Sequence, residues 1–554
     1  MNFKLVITPH RIGTLGACLV VVLVAVLAGS SAQAQIKVGL ERYNECMLRK
    51  PFLFHTDGRE SLAKTGTITK GLDLLVEDYK KTKLYSEYSR YTLATLFGSF
   101  YNNREALPFF DDLRKSKRSP EDVWMWVNTL TIQADQGGTA DVVEIAQTAG
   151  KAVLRAAAIV ALGLAKNSQI KDAIVANCEK FPSSEADRSV LLGAMSGALL
   201  ENKAKVNDAE YRQALEAFIH LLAPQFKLSK TQILQMARHL QWIFNAPAMF
   251  SDEDSWLERL RRGEIKTPSK SGTTVSGSSF FGLETDGERF SYVIDMSDSM
   301  LKEISPDAKP AGPTTGPRKT KKKGMLDADD LPWSEIKTRW DLAREQLRVS
   351  LSRLSEDKHF SVIWFGSGAG TLESTKRMVK ATKGNITQVM AELDNIKVSK
   401  LNAQGAEDGV LHLRGDTNVH AGLAIAFGIS QKGVEESGAY VHSDPLTSGP
   451  DTIFLLSDGA PSVDEFLIAD KDYNEGKVVA SLEAGGDVPR SASLMYSGPY
   501  VQDKWLIEDL RRMNAFRRIR MHCIGLGEAN MALLDKLAEM GHGEVFVFGK
   551  SRKK

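Results

Sequence analysis

The chain has 554 residues and a mass of 61.0 kDa, with 43% hydrophobic and 25% charged residues. That composition excludes a disordered chain, a collagen-like repeat and a bundle of membrane spans, and at about 100–200 residues per domain it allows several domains, each with its own core. Lys and Arg number 71 against 69 Asp and Glu; the two excess cations, Lys4 and Arg11, sit in a leader, so no global charge draws the protein to nucleic acid or anionic lipid.

Lys4 and Arg11 precede an apolar run from Cys18 to Ala28, and Ala32-Gln33-Ala34 closes the segment. A positive start, a short apolar stretch and an Ala-x-Ala end describe a secretory signal peptide over residues 1–34, cut before Gln35. An uncleaved anchor is the alternative, opposed by an apolar run shorter than the ~20 residues a span needs. The protein is therefore expected to be exported, to a periplasm, a cell surface or the medium. Of its cysteines, Cys46, Cys178 and Cys523 survive processing, too few for a disulfide framework. A Cys46–Cys178 bridge stays open, and Cys523 reads as a small core residue.

Residues 35–265 follow a helical pattern almost throughout. Two Ala/Leu/Gly-rich runs, starting at Arg155 and Arg188, are offset by about 33 residues, within the range of stacked helical repeats. They resemble a HEAT-like or TPR-like array weakly; a plain irregular helical domain is the alternative. Ser, Thr and Gly then dominate 266–279, a flexible linker. After it the pattern changes class. Phe280 to Thr285 and Arg289 to Ile294 read as two strands joined by a tight Asp286-Gly287 turn. A long helix follows, with Ile336, Trp340, Ala343, Leu347, Leu351 and Leu354 on one stripe. Strands at 360–365, 452–456, 521–526 and 545–548 then alternate with helices near 386–396, 419–429, 505–513 and 531–540. Alternation with near-continuous apolar strands predicts an α/β fold, a doubly wound and mainly parallel sheet flanked by helices, beside an all-α N-terminal domain. Its ligand is expected beyond the carboxyl ends of the strands.

Three loops at those ends are rich in side-chain oxygen. The first reads Asp295-Met296-Ser297-Asp298-Ser299, where period-two alternation points Asp295, Ser297 and Ser299 to one side. The second is Gly415-Asp416-Thr417-Asn418, just before a helix, and the third is Ser457-Asp458-Gly459 after an apolar strand. An Asp-x-Ser-x-Ser after a strand, a Thr before a helix and an Asp in a Ser-Asp-Gly turn resemble the von Willebrand factor A domain. The resemblance covers 280–550, with an insertion at 301–333. It implies a metal-ion-dependent adhesion site built from Asp295, Ser297, Ser299, Thr417 and Asp458. It also implies Mg²⁺ or Mn²⁺ as cofactor, hard cations that take oxygen ligands, and a protein partner that supplies an acidic residue to the metal.

The departures from that family concern the rim: the 301–333 insertion carries a basic run, Arg318 to Lys323, and longer segments follow Ile429 and Asp458. A charge run is usually a solvated loop; if it contributes, it favours an acidic partner surface. Arg414-Gly415-Asp416 is taken as coincidence, and the histidines, His420 among them, show no zinc spacing. Ser457 lies outside any Gly-x-Ser-x-Gly elbow. The sequence thus reads as a non-enzymatic interaction or adhesion protein. Its rivals are a structural component of an envelope assembly, with the helical half as main interface, and a Mg²⁺-dependent hydrolase.

Overall fold

The structure, a computed structural model, describes residues 35–548 apart from 263–277, 305–330, 399–411, 471–493 and several shorter stretches. The leader, most of the 266–279 linker and the basic run at 318–323 therefore lie outside the described residues. The chain divides into two compact units, up to Lys117 and from Arg118 onward. The boundary falls inside the helical stretch that composition groups together.

The first unit is helical, with helices at Phe52–Ala63, Asp73–Lys80, Glu87–Phe97 and Leu107–Ser116 among its elements. Its core contains an aromatic cluster in which the ring of Phe97 lies 5.6 Å from that of Tyr79 and 5.4 Å from that of Phe110. The buried Asp78 carboxylate accepts hydrogen bonds from Tyr43 at 2.9 Å and Arg59 at 3.1 Å.

In the second unit, a helical layer leads into a mixed α/β region. The two Ala/Leu/Gly-rich runs become helices α1 (Ala152–Leu164) and α2 (Glu185–Glu201). They approach so closely that a Cβ at Gly163 would sit 2.7 Å from the Ala198 Cα. A third helix, α3 (Lys230–Phe244), opens on a capping box of Ser229 and Gln232, which satisfies otherwise orphaned N–H groups. The small residues of α2 also receive the chain entering the sheet: a Cβ at Gly193 would stand 1.9 Å from the Phe516 carbonyl oxygen. The helical layer from Arg118 onward is thus packed against the α/β region.

The sheet has seven strands: β1 (Arg289–Asp295), β2 (His359–Phe365), β3 (Ala369–Thr371), β4 (Val379–Lys380), β5 (Thr452–Ser457), β6 (Arg520–Leu526) and β7 (His542–Phe548). Their order is β7-β6-β5-β1-β2-β3, with β4 also paired to β2. The pairs among β7, β6, β5, β1 and β2 are parallel, and only the short edge strands β3 and β4 run antiparallel. The fold is mixed α/β, a mostly parallel sheet with flanking helices. Phe290, Tyr292 and Ile294 alternate onto one face. They pack there with Trp340, Ala343, Leu347 and Leu351 of helix α4 (Arg339–Arg353). On the other face, helix α5 (Val419–Gly428) brings Gly422 against Phe365. Helices α6 (Asp503–Asn514) and α7 (Met531–Met540) follow along the chain.

Two expectations change. Leu283–Thr285 pairs antiparallel with Ser278–Phe280, not with β1, so Asp286-Gly287 does not close a hairpin between paired strands. The reason is electrostatic: the Asp286 carboxylate is held by Arg238 of α3 at 2.8 Å and by Arg520 at 3.3 Å. The disulfide left open is not formed, since Cys46, Cys178 and Cys523 are free, buried thiols. Among the described residues no helix is long and apolar enough to cross a membrane.

Candidate functional site

Strand β1 ends at Asp295, and the chain then turns sharply: Ser297 is extended (φ −71°, ψ 168°) before a 3₁₀ turn over Asp298–Leu301. The turn folds Ser297 back, so that its amide donates to Asp295 Oδ1 at 2.9 Å. From there a chain of contacts runs across the sheet's carboxyl edge. Ser297 Oγ and Ser299 Oγ are 2.8 Å apart, and Ser299 Oγ donates to Asp458 Oδ1 at 2.5 Å. Asp458 follows the end of β5, beside β1 in the sheet. Four of the five expected residues, Asp295, Ser297, Ser299 and Asp458, therefore form one connected cluster.

Thr417 reaches the same edge through its neighbours. The amide of Gly415 donates to Asp298 Oδ1 at 2.9 Å and the Asp298 amide donates back to the Gly415 carbonyl at 3.0 Å. Thr417 itself donates its amide to Ser462 Oγ at 2.8 Å and accepts from the Ser462 amide at 3.0 Å. Asn418 then caps α5, accepting from the Ala421 amide at 3.0 Å. The Thr417 loop is thus fastened on one side to the Asp295 turn and on the other to the segment leaving Asp458.

Three participants were not evident in the sequence. Ser457, the last residue of β5, donates its hydroxyl to Asp295 Oδ2 at 2.9 Å. Arg339, the first residue of α4, donates to Asp458 Oδ2 at 2.5 Å. His420, read as an isolated histidine, is buried, with Nε2 2.7 Å from Asp509 of α6. Its Nδ1 lies 3.1 Å from Glu465, within ion-pair range but off the line of a hydrogen bond. The ring stacks on Tyr500 with centroids 3.6 Å apart. Alternation and helical period report which face a residue takes, and none of these partnerships spans a local repeat.

The electrostatics follow from burial. Asp295 is fully buried; desolvation, and then the neighbouring Asp458 charge, push its carboxyl up to about 6, against the hydrogen bonds from Ser297 and Ser457. For His420, burial opposes the charge, but Asp509 and Glu465 outweigh it and raise the imidazole to about 9. Among the described residues no group of three or more His, Cys, Asp and Glu side chains is arranged to hold a metal ion. The donors at this edge are instead two carboxylates and several hydroxyls, the hard oxygen set that Mg²⁺ and Mn²⁺ take. The Arg339 guanidinium already lies against Asp458.

No protein-family model matches the chain, and no curated protein matches it.

Proposed function

We propose that the region from 280 to 550 is a von Willebrand factor A-like domain, and that the chain is an exported, non-enzymatic adhesion or interaction protein. In this reading Asp295, Ser297, Ser299, Thr417 and Asp458 hold a Mg²⁺ or Mn²⁺ ion, which accepts a carboxylate from a partner protein. The observation that carries the reading is the unbroken contact chain from Asp295 through Ser297 and Ser299 to Asp458 at the carboxyl ends of adjacent parallel strands. Binding sites in open α/β sheets favour that edge. Hydroxyl donors leave a dication incompletely neutralised, so an acidic group completes it.

The test is a crosslinking pull-down from the native envelope with and without EDTA, alongside thermal melts with Mg²⁺ and Mn²⁺. Metal should raise the melting temperature and chelator should release the partner, and Asp295→Ala should abolish both effects while the protein stays folded. Capture and melting temperature indifferent to EDTA would sink the reading. Substrate turnover lost in Asp295→Ala would favour the hydrolase instead.

A further inference from the structure

Arg339 occupies a position that local preference disfavours. It is the first residue of α4, after the N-cap Thr338, where the helix dipole already presents partial positive charge and a cation is unfavourable. Its backbone is nonetheless fixed there: the Arg339 amide donates to the Lys302 carbonyl at 3.1 Å and the Ile304 amide to the Lys337 carbonyl at 3.0 Å. Space is also kept for the guanidinium. Gly527 adopts φ +64°, and a Cβ there would lie 2.4 Å from Arg339 Nη2, so a side chain at 527 would evict it. The arginine side chain is only 12% exposed, and the Asp458 side chain it meets is 0% exposed.

Charge counting gives this placement a consequence. The buried carboxylates Asp295 and Asp458 carry two negative charges and Arg339 one positive, while Asp298, Glu303 and Asp416 stand exposed at the rim, where water and salt screen them. A divalent ion would therefore leave the buried site with one net positive charge instead of none. We propose that Arg339 is a specificity-determining residue. By keeping one positive charge on Asp458, it weakens the grip on the metal and strengthens the metal-loaded site's attraction for a single carboxylate. The inference rests on the metal-binding reading above.

The test compares the full chain with Arg339→Gln and Arg339→Lys, all shown folded by circular dichroism, at one fixed, mildly alkaline pH. Mn²⁺ affinity is read by electron paramagnetic resonance. Acetate, as the carboxylate probe, is read by the drop in water-proton relaxation of the Mn²⁺-loaded protein. Arg339→Gln should bind Mn²⁺ about tenfold more tightly and acetate about tenfold more weakly, with Arg339→Lys close to wild type. Opposite signs are the discriminating feature, because a merely structural loss weakens both. Normal Mn²⁺ binding by wild type with equal or weaker binding by Arg339→Gln overturns the role of Arg339 and leaves the metal reading standing. A lysine variant that behaves like glutamine also overturns it. No Mn²⁺ binding by any of the three overturns the metal reading and this inference with it.

Discussion

At the starting edge of the sheet, two carboxylates, Asp286 and Asp451, are met by Arg238 and Arg520, with Arg289 and Arg517 also beside Asp451; at the finishing edge, the carboxylates Asp295 and Asp458 have Arg339, which pairs with Asp458. The starting edge is saturated. Arg238 donates to Asp286 Oδ1 at 2.8 Å, to the Asp451 carbonyl at 2.8 Å and to Thr452 Oγ1 at 3.0 Å. Asp451 Oδ2 also accepts the amides of Glu288 and Arg289 at 2.9 and 2.8 Å. The proton affinities part accordingly. Burial resists the charge of Asp286, yet Arg238 and Arg520 hold its carboxyl below the ordinary value, whereas Asp295 is pushed up to about 6. Folding favours the ionised carboxylate at one edge and penalises it at the other. Similar groups thus give a structural lock where guanidiniums fully compensate the carboxylates and an under-compensated carboxylate pair where they do not.

The largest effect should come from opening the lock. Arg238→Ala leaves the partly buried Asp286 and the buried Asp451 without their main counter-ion and removes one of the contacts that tie α3 to the sheet. A loss of about 3–5 kcal/mol is expected for breaking a buried pair from one side, read as a shift in the urea midpoint. A loss under about 1 kcal/mol would mean that the starting edge is no more settled than the finishing one.

Next in size is the clamp beside the site. His420, at the start of α5, meets Asp509 of α6 at 2.7 Å and Glu465, on the segment after Asp458, at 3.1 Å, so the clamp ties the Thr417 loop to α6 and to that segment. The folded value of about 9 exceeds the ordinary 6.5. The contribution is therefore complete below pH 6.5 and lost as pH rises through 9, roughly 3 kcal/mol over that window. Denaturant titrations across it should show the decline in wild type and a flatter profile in His420→Gln. Equal slopes would remove the clamp from the account.

Asp295→Asn sharpens the contrast by its sign. The amide imitates the protonated carboxyl, the form the folded state prefers. Because the folded value is raised from 3.8 to about 6, the contribution of wild-type Asp295 is complete below pH 3.8 and lost as pH rises through 6. The metal-free variant should accordingly be more stable than wild type by about 2–3 kcal/mol at neutral pH, with no advantage near pH 3. Urea melts in EDTA at both pH values decide it. Destabilisation at neutral pH would place Asp295 in a satisfied network like that of Asp286.

How far the sequence carries depends on the range of the interaction. The parallel strands are legible because burial on both faces leaves continuous apolar runs such as Ile453 to Leu456, and α4 because its stripe keeps a helical period. Asp295, Ser297 and Ser299 are legible as a local spacing, and Asp458 through its turn. Asp286-Gly287 misleads, since its hairpin signal is local while its carboxylate answers to Arg238, 48 residues away. Arg339 is hidden for a related reason: its partner Asp458 is 119 residues distant, and the helix pattern assigns only the apolar positions.

The smallest effect tests the simplest of the unforeseen contacts, one hydroxyl on one carboxylate 162 residues away. Ser457 is 1% exposed and its hydroxyl ends on Asp295 Oδ2 at 2.9 Å. Removing it takes one donor from a carboxylate that is already short of positive charge, and a serine-to-alanine change leaves little cavity. Ser457→Ala should cost about 1 kcal/mol in the metal-free protein at neutral pH, the usual net value of one hydrogen bond. The Asp295 carboxyl should also rise further, which carbon-detected NMR titration of the aspartate side chains would record. At the starting edge, Thr452→Val offers the comparison: its hydroxyl also meets a carboxylate, Asp451 at 2.8 Å, but one that keeps two amides and Arg238, where Asp295 keeps the Ser297 amide. If both substitutions leave their carboxylates equally unmoved, the difference between the two edges lies in charge count alone and not in the number of hydrogen bonds each carboxylate keeps.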